Sequence, residues 1–158
     1  MITRLVAATV FMIFAGNLAH AENLTADNPE SIAAAIRDMG YRAEMTTDSK
    51  GKPKIASSAE GVNFSIYFYG CDEKNLGCDS IQLQAGFDFN KGLPDSVATD
   101  WNSRKRYAKA AMTKDGDPII RFDVNLDKDG VSRSNFEDTF KIWSLLLVQF
   151  KQHIGWKG

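Results

Sequence analysis

The 158-residue sequence is poor in the residues from which metal and catalytic sites are most often built. It holds two cysteines and two histidines, and His20 lies in an N-terminal segment that we predict is removed. Structural zinc takes four cysteine or histidine ligands, which the remaining chain cannot supply. The overall formal charge is −1, whereas nucleic-acid binders usually carry a clear basic excess. We therefore expect no metal ion, no cofactor and no nucleic-acid partner.

Motifs for nucleotide binding and nucleophilic catalysis are also missing. The sequence contains no GxGxxG or Walker-type loop and no Gly-x-Ser-x-Gly elbow. A Ser-His-Asp set would have to converge on His153, near the chain end on a predicted helix. The run that starts at Asn125 resembles a calcium loop, but Phe136 stands where a bidentate glutamate belongs. We therefore predict that the protein is not an enzyme.

The first 21 residues have the three parts of a secretory signal. Arg4 gives a positive start, Leu5–Ala15 is apolar, and Ala19-His20-Ala21 offers the small residues that a signal peptidase reads. The apolar run is shorter than the roughly 20 residues of a membrane span. We predict a signal peptide over residues 1–21, a mature start at Glu22, and a periplasmic or secreted protein without a stable membrane anchor.

Residues 22–158 are enough for a single domain with one core. Export would place Cys71 and Cys78 where disulfides form and persist. A redox-active pair is normally Cys-x-x-Cys, and the spacing here is wider. We therefore predict a structural disulfide, whose short loop would contribute about 2–3 kcal/mol through loop-closure entropy.

The alternation of apolar residues around the cysteines predicts a β-hairpin with one register. If Cys71 lies opposite Cys78, one face is apolar and pairs Phe68 with Ile81, Ile66 with Leu83, and Phe64 with Ala85. The other face then carries Tyr67 opposite Gln82 and Tyr69 opposite Ser80. Those tyrosines either form an exposed recognition surface or are covered by the N-terminal helix.

The rest of the chain predicts three helices and four further strands. The first helix is expected over 29–39, with Asn28 as its N-cap and Gly40 as its C-cap. A short middle helix follows Asp95 or Ser96. A second hairpin is expected to turn at Asp115-Gly116-Asp117. Because successive strands have few helices between them, we predict an α+β domain with a mainly antiparallel sheet of about six strands.

That second hairpin is predicted with Lys114 opposite Pro118, which places Lys109 against Asp123. After it, Ser132 is expected to cap a long C-terminal helix from Arg133 to His153. Its main apolar stripe comprises Phe136, Phe140, Trp143, Leu147, Phe150 and Ile154. Ile142, Leu145 and Val148 widen this stripe, so the second edge of the helix is either buried or forms a homodimer contact.

The segment "WNSRKRYAK" combines aromatic and basic residues, among them Trp101 and Arg104. One interpretation is a tryptophan packed under a loop with solvated cations around it. The other is a surface for an anionic or protein partner.

The second half of the chain resembles the YbjN family of bacterial proteins. The residues that carry the resemblance are Trp101-Asn102, Tyr107-Ala108, Asp115 to Pro118, Val131-Ser132 and Trp143, while "NPESIAAAIRDMGYRAEM" fits the opening of the family. The resemblance implies an α+β fold similar to type III secretion chaperones and a role in sensory transduction regulation. It implies no catalytic residues.

We therefore predict a non-enzymatic periplasmic binding or regulatory module, chaperone-like, that engages a protein or peptide. The candidate binding residues are Tyr67, Tyr69, Trp101 and Arg104. The alternative is a small-ligand sensor or a small hydrolase. A closed pocket with His153 beside a serine and a carboxylate would favour the hydrolase.

Overall fold

A computed structural model describes residues 23–158, so the predicted signal peptide and Glu22 lie outside the described residues. The described chain forms three helices and a six-stranded antiparallel sheet, which confirms the predicted α+β class. The helices are α1 (Pro29–Asp38), α2 (Ser96–Arg104) and α3 (Arg133–Ile154). The strands are β1 (Ala43–Thr47), β2 (Pro53–Ala59), β3 (Val62–Tyr69), β4 (Ser80–Gly86), β5 (Lys109–Met112) and β6 (Pro118–Asn125).

Side-chain caps define where the first and last helices begin. Asn28 Oδ1 accepts a hydrogen bond from Ser31 N at 3.2 Å, and Ser132 Oγ accepts one from Asn135 N at 3.2 Å. Both caps satisfy amide groups that have no partner within the first helical turn. The predicted C-cap of α1 is off by one residue, because Met39 is the cap and Gly40 follows it with φ +88°.

The sheet has the strand order β1-β2-β3-β4-β6-β5, and the cysteine hairpin lies at its centre. The predicted register of β3 and β4 is confirmed, since Phe68 pairs with Ile81 and Tyr67 with Gln82. A disulfide joins Cys71 to Cys78 beyond the strand ends, as predicted. The hydrophobic pattern and the disulfide therefore specify the same pairing.

The predicted register of the second hairpin is wrong by two residues. Met112 pairs with Pro118, and Lys109 pairs with Arg121 rather than Asp123. The turn is closed one position earlier than expected, because Thr113 N donates to Asp117 O at 2.9 Å. A shift of two residues keeps each side chain on its face. The Lys109–Asp123 attraction therefore survives as a diagonal pair, with Nζ and Oδ2 3.2 Å apart.

All three helices pack against one face of the sheet and form a single core with it. The predicted stripe of α3 is buried, from Phe136 through Ile154. Its second edge is not uniformly covered, because Ile142 and Val148 are half-buried and Leu145 is 56% exposed. Within residues 23–158, no helix is both long and apolar enough to span a membrane.

Candidate functional site

Among residues 23–158, no helix packs on one of the two faces of the sheet, and we call this the open face. It carries Tyr67, Tyr69, Gln82, Gln84, Arg121 and Asp123, which lie on β3, β4 and β6. Helix α1 packs on the opposite face, where Ile32 and Ile36 are buried in the core. Tyr67 is half-buried and Tyr69 is 44% exposed. Of the two alternatives for the tyrosines, the structure therefore favours exposure over cover by α1.

One row of side chains crosses four strands of the open face. Lys54 neighbours Tyr67, Tyr67 neighbours Gln82, and Gln82 neighbours Asp123 in the registers of successive strand pairs. Gln82 Nε2 donates to Asp123 Oδ1 at 2.5 Å, and the hydroxyl of Tyr69 donates to Gln82 Oε1 at 3.5 Å. The row therefore runs from a cation to an anion, with an aromatic ring and an amide between them.

A second row crosses the sheet beside the first and is also polar. Ser65, Gln84 and Arg121 are neighbours on β3, β4 and β6. Arg121 Nε donates to Gln84 Oε1 at 2.8 Å, which fixes the direction of the guanidinium group. Because hydrogen bonds hold the polar groups of both rows, the face presents a preorganised array of amides and charges.

The open face is concave on both sides of Tyr69. Toward β6 lies a concavity of about 970 Å³, whose walls include Asp79, Gln82, Arg121 and Asp127. Toward the β1–β2 turn lies a smaller one of about 480 Å³, whose walls include Lys50, Lys52 and Lys54. The surroundings of the tyrosines are thus richer in carboxylates on one side and in ammonium groups on the other.

The ionisable groups of the face respond to this environment. Burial raises the pKa of the Tyr69 hydroxyl above its usual value, an effect that Arg121 opposes and Asp123 reinforces. At the β1–β2 turn, Asp48 Oδ1 accepts from Lys52 N at 2.9 Å and from Lys50 N at 2.8 Å. The hydrogen bond from Lys52 N is the largest cause that lowers the pKa of the Asp48 carboxyl. Asp48 therefore holds the turn beside the lysines as a carboxylate.

The structure removes Trp101 from the candidate binding residues. Its side chain is 1% exposed, stacks edge-on against Phe150, and donates from Nε1 to Ala108 O at 3.1 Å. An indole that is buried and hydrogen-bonded in this way offers almost no surface to a partner. The interpretation as a packed tryptophan is therefore the one that fits.

Arg104 is exposed, but it does not lie with the tyrosines. It ends α2 on the helix-bearing side and pairs with Asp100 at 2.7 Å. Arg121 on β6 does join the tyrosines on the open face, although the sequence did not predict it as a binding residue. Gln82, Gln84 and Asp123 were not predicted as binding residues either. The signal was present in the alternation of β4 and β6, but an isolated Gln, Arg or Asp at such a position reads as an ordinary solvated residue.

His153 is occupied in helix packing rather than placed in a closed pocket with a serine. Its Nε2 lies 2.9 Å from Val97 O, and its Nδ1 lies 3.9 Å from Asp100 Oδ2. These contacts join α3 to α2 on the side of the sheet opposite the open face. Among residues 23–158, no group of three or more His, Cys, Asp or Glu residues is arranged to hold a metal ion.

A comparison with protein families matches residues 28–156 to the model of the YbjN family, described as "Putative bacterial sensory transduction regulator". The chain belongs to the YbjN family. The match covers the domain from the N-cap of α1 to the residue after the C-cap of α3. Neither the comparison with curated proteins nor the comparison with solved structures gave a match. The likeness to type III secretion chaperones therefore stays a prediction.

The Trp101-Asn102 pair of this YbjN chain has a structural role. Asn102 Nδ2 donates to Ala110 O at 3.0 Å, and Asn102 Oδ1 accepts from Ala110 N at 2.8 Å. Together with the bond from Trp101 to Ala108 O, these contacts attach α2 to the edge strand β5. In this chain the pair stabilises the packing of α2 against β5 and does not form a binding site.

Proposed function

We propose that this YbjN protein is an exported, non-enzymatic binding module that engages an extended segment of a protein partner across its open face. The observation that carries the proposal is the position of Tyr67 and Tyr69 on a sheet face that no helix of the described chain covers. Tyrosine is a frequent anchor at interfaces because its ring is apolar and its hydroxyl can still hydrogen-bond. A chaperone-like role fits this arrangement, since chaperones hold segments of other chains.

A polypeptide suits the open face better than a lipid or a nucleic acid does. The side-chain amides of Gln82 and Gln84 offer the same donors and acceptors as a peptide group, so they can pair with a partner's backbone. Acidic residues line one end of the face and lysines the other, which argues against a ligand of one charge sign. Export is proposed on the signal-like sequence of residues 1–21.

The test is photocrosslinking in living bacteria. A crosslinking amino acid replaces Tyr69 in one variant and Leu145 in the other, because Leu145 is also exposed, at 56%, but lies on α3 on the opposite side of the sheet. We expect one protein to be captured reproducibly from position 69 and not from position 145. Capture of nothing at position 69, or the same products at both positions, would contradict the proposal and shift attention to a small ligand.

Export is tested separately by cell fractionation and mass spectrometry. We expect the chain in the periplasmic fraction, with a mass that corresponds to a start at Glu22. A full-length chain in the cytoplasm would contradict the proposed location and leave the open face to be tested with cytoplasmic partners.

A further inference from the structure

The two edge strands of the sheet, β5 and β1, differ in what binds their outer backbone groups. At β5, the Asn102 side chain binds both backbone groups of Ala110 and so occupies part of the outer edge. At β1, nothing in residues 23–158 adds a strand to the outer edge. Strand β1 has no proline, lysine or bulge, which are common protections of an edge, and Met45 on it is 41% exposed.

The hydrogen bonds around β1 show which backbone groups face outward. Asp48 N donates to Lys52 O at 2.9 Å in the register of β1 and β2, so Asp48 is turned inward. Antiparallel strands alternate inward and outward residues, which places Ala43, Met45 and Thr47 outward. In agreement, Ala43 O accepts from Arg37 Nη1 at 2.9 Å, outside the sheet.

We propose that a second copy of this chain pairs with the first through β1, in an antiparallel arrangement centred on Met45. Met45 then lies opposite Met45, and Ala43 lies opposite Thr47. Each of these outward-facing residues exchanges both backbone hydrogen bonds with its counterpart. The bond from Arg37 to Ala43 O can persist, because a carbonyl oxygen has two lone pairs.

The side chains of β1 complement themselves in this arrangement. Arg42 lies opposite Asp48 of the second copy, and Glu44 lies opposite Thr46, so opposite charges meet and like charges do not. The two Met45 side chains lie next to each other across the symmetry axis. Apolar area that is exposed in one copy is thereby removed from water.

Pairing through β1 joins two six-stranded sheets into one. The twofold axis is perpendicular to this sheet, so both open faces lie on the same side. The inference goes beyond the proposed binding function and does not depend on it. It also differs from a dimer through α3, in which Leu145 would be the central contact.

Sedimentation equilibrium of the purified protein, from micromolar to millimolar concentration, tests the pairing. We expect a reversible dimer with a dissociation constant in the micromolar range, as suits a small interface. Met45→Pro removes an amide that faces outward and leaves the bonds to β2 in place, so it should weaken the dimer at least tenfold. The control Leu145→Glu should leave the dissociation constant unchanged. A protein that stays monomeric, or a dimer lost in Leu145→Glu and kept in Met45→Pro, would overturn the proposal.

Hydrogen exchange supplies a second test that needs no substitution. The amides of Ala43, Met45 and Thr47 should exchange more slowly as the protein concentration rises. The amides of Glu44 and Thr46, which face β2, should exchange at the same rate at all concentrations. If the outward amides show no dependence on concentration while the protein dimerises, β1 is not the interface, whatever the proline variant does.

Discussion

Asn102 imitates a neighbouring strand for Ala110, with its Nδ2 3.0 Å from Ala110 O and its Oδ1 2.8 Å from Ala110 N. Two side-chain atoms on α2 thereby satisfy both backbone groups of an edge residue. In the part of the chain that the structure describes, no helix covers the open face. An edge strand is therefore satisfied from within the domain, whereas Tyr69 on the open face stays 44% exposed.

Replacement of Asn102 by alanine should destabilise the protein by about 1–3 kcal/mol, because the Ala110 amide and carbonyl both lose a partner. The free energy of unfolding in urea measures this loss. Asn63→Ala is the matched control, since Asn63 is exposed on β3, and it should change stability by less than about 0.5 kcal/mol. Equal effects of the two substitutions would show that the hydrogen bonds between Asn102 and Ala110 contribute nothing to stability.

Gly130→Ala should be strongly destabilising, by roughly 2 kcal/mol or more, because a close contact adds to an unfavourable backbone conformation. Gly130 has φ +65°, and an added Cβ would lie 2.1 Å from Leu24 O, whose strand-like bridge to Val131 it would break. Gly40→Ala is the control, since Gly40 has φ +88° in open space. The Gly40→Ala variant should lose only about 1–2 kcal/mol of stability, because only its backbone conformation is unfavourable. Thermal unfolding of both variants distinguishes the contact from the conformation.

Removal of the disulfide with the double substitution Cys71→Ser and Cys78→Ser should cost about 2–3 kcal/mol. The fold should survive, because Asp72 Oδ1 also holds the loop by accepting from Lys74 N at 2.8 Å and from Leu76 N at 2.9 Å. Urea unfolding with and without reductant measures the effect. Reductant should destabilise the wild type and leave the double variant unchanged. A reductant effect on the variant would argue against the bridge as its cause.

The raised pKa of Tyr69 predicts a loss of stability at alkaline pH. The folded state holds the hydroxyl proton more tightly than the unfolded state, whose tyrosine pKa is about 10. The stabilisation that the protonated Tyr69 hydroxyl gives to the folded state is therefore complete below about pH 10. It is lost as the pH rises through the higher pKa of Tyr69 in the folded state. Tyr69→Phe should flatten this part of the stability profile, and ultraviolet titration should show one fewer late-titrating tyrosine. An unchanged profile would contradict the effect of burial on Tyr69.

Much of the fold could be predicted because two independent signals agreed at the cysteine hairpin. The alternation of Phe64, Ile66 and Phe68 and the pairing of Cys71 with Cys78 require the same register, so an error in one would have contradicted the other. At the second hairpin the apolar alternation fits registers two residues apart equally well, so the turn composition had to decide between them. Turn residues such as Asp115 and Gly116 fit more than one loop position, and the register came out two residues away.

The candidate site was harder to predict than the fold. The tyrosines were selected because large aromatic residues on a polar face are unusual, whereas Arg121 is an ordinary residue until β6 is placed beside β4. Trp101 showed the opposite problem. Its basic neighbours suggested a binding surface. Whether the Trp101 side chain is exposed or buried, however, depends on the packing of α2 against Phe150. Contacts between distant segments decide both cases.

The most direct test of the account compares the affinity of the crosslinked partner for two variants, Tyr69→Ala and Leu145→Ala, by isothermal titration calorimetry. Both substitutions remove a large exposed side chain, but Tyr69 lies on the open face and Leu145 lies on α3, on the opposite side of the sheet. We predict a loss of affinity of about tenfold or more for Tyr69→Ala, as for an interface anchor, and no change for Leu145→Ala. Equal affinities of the two variants would contradict the assignment of the open face as the binding site.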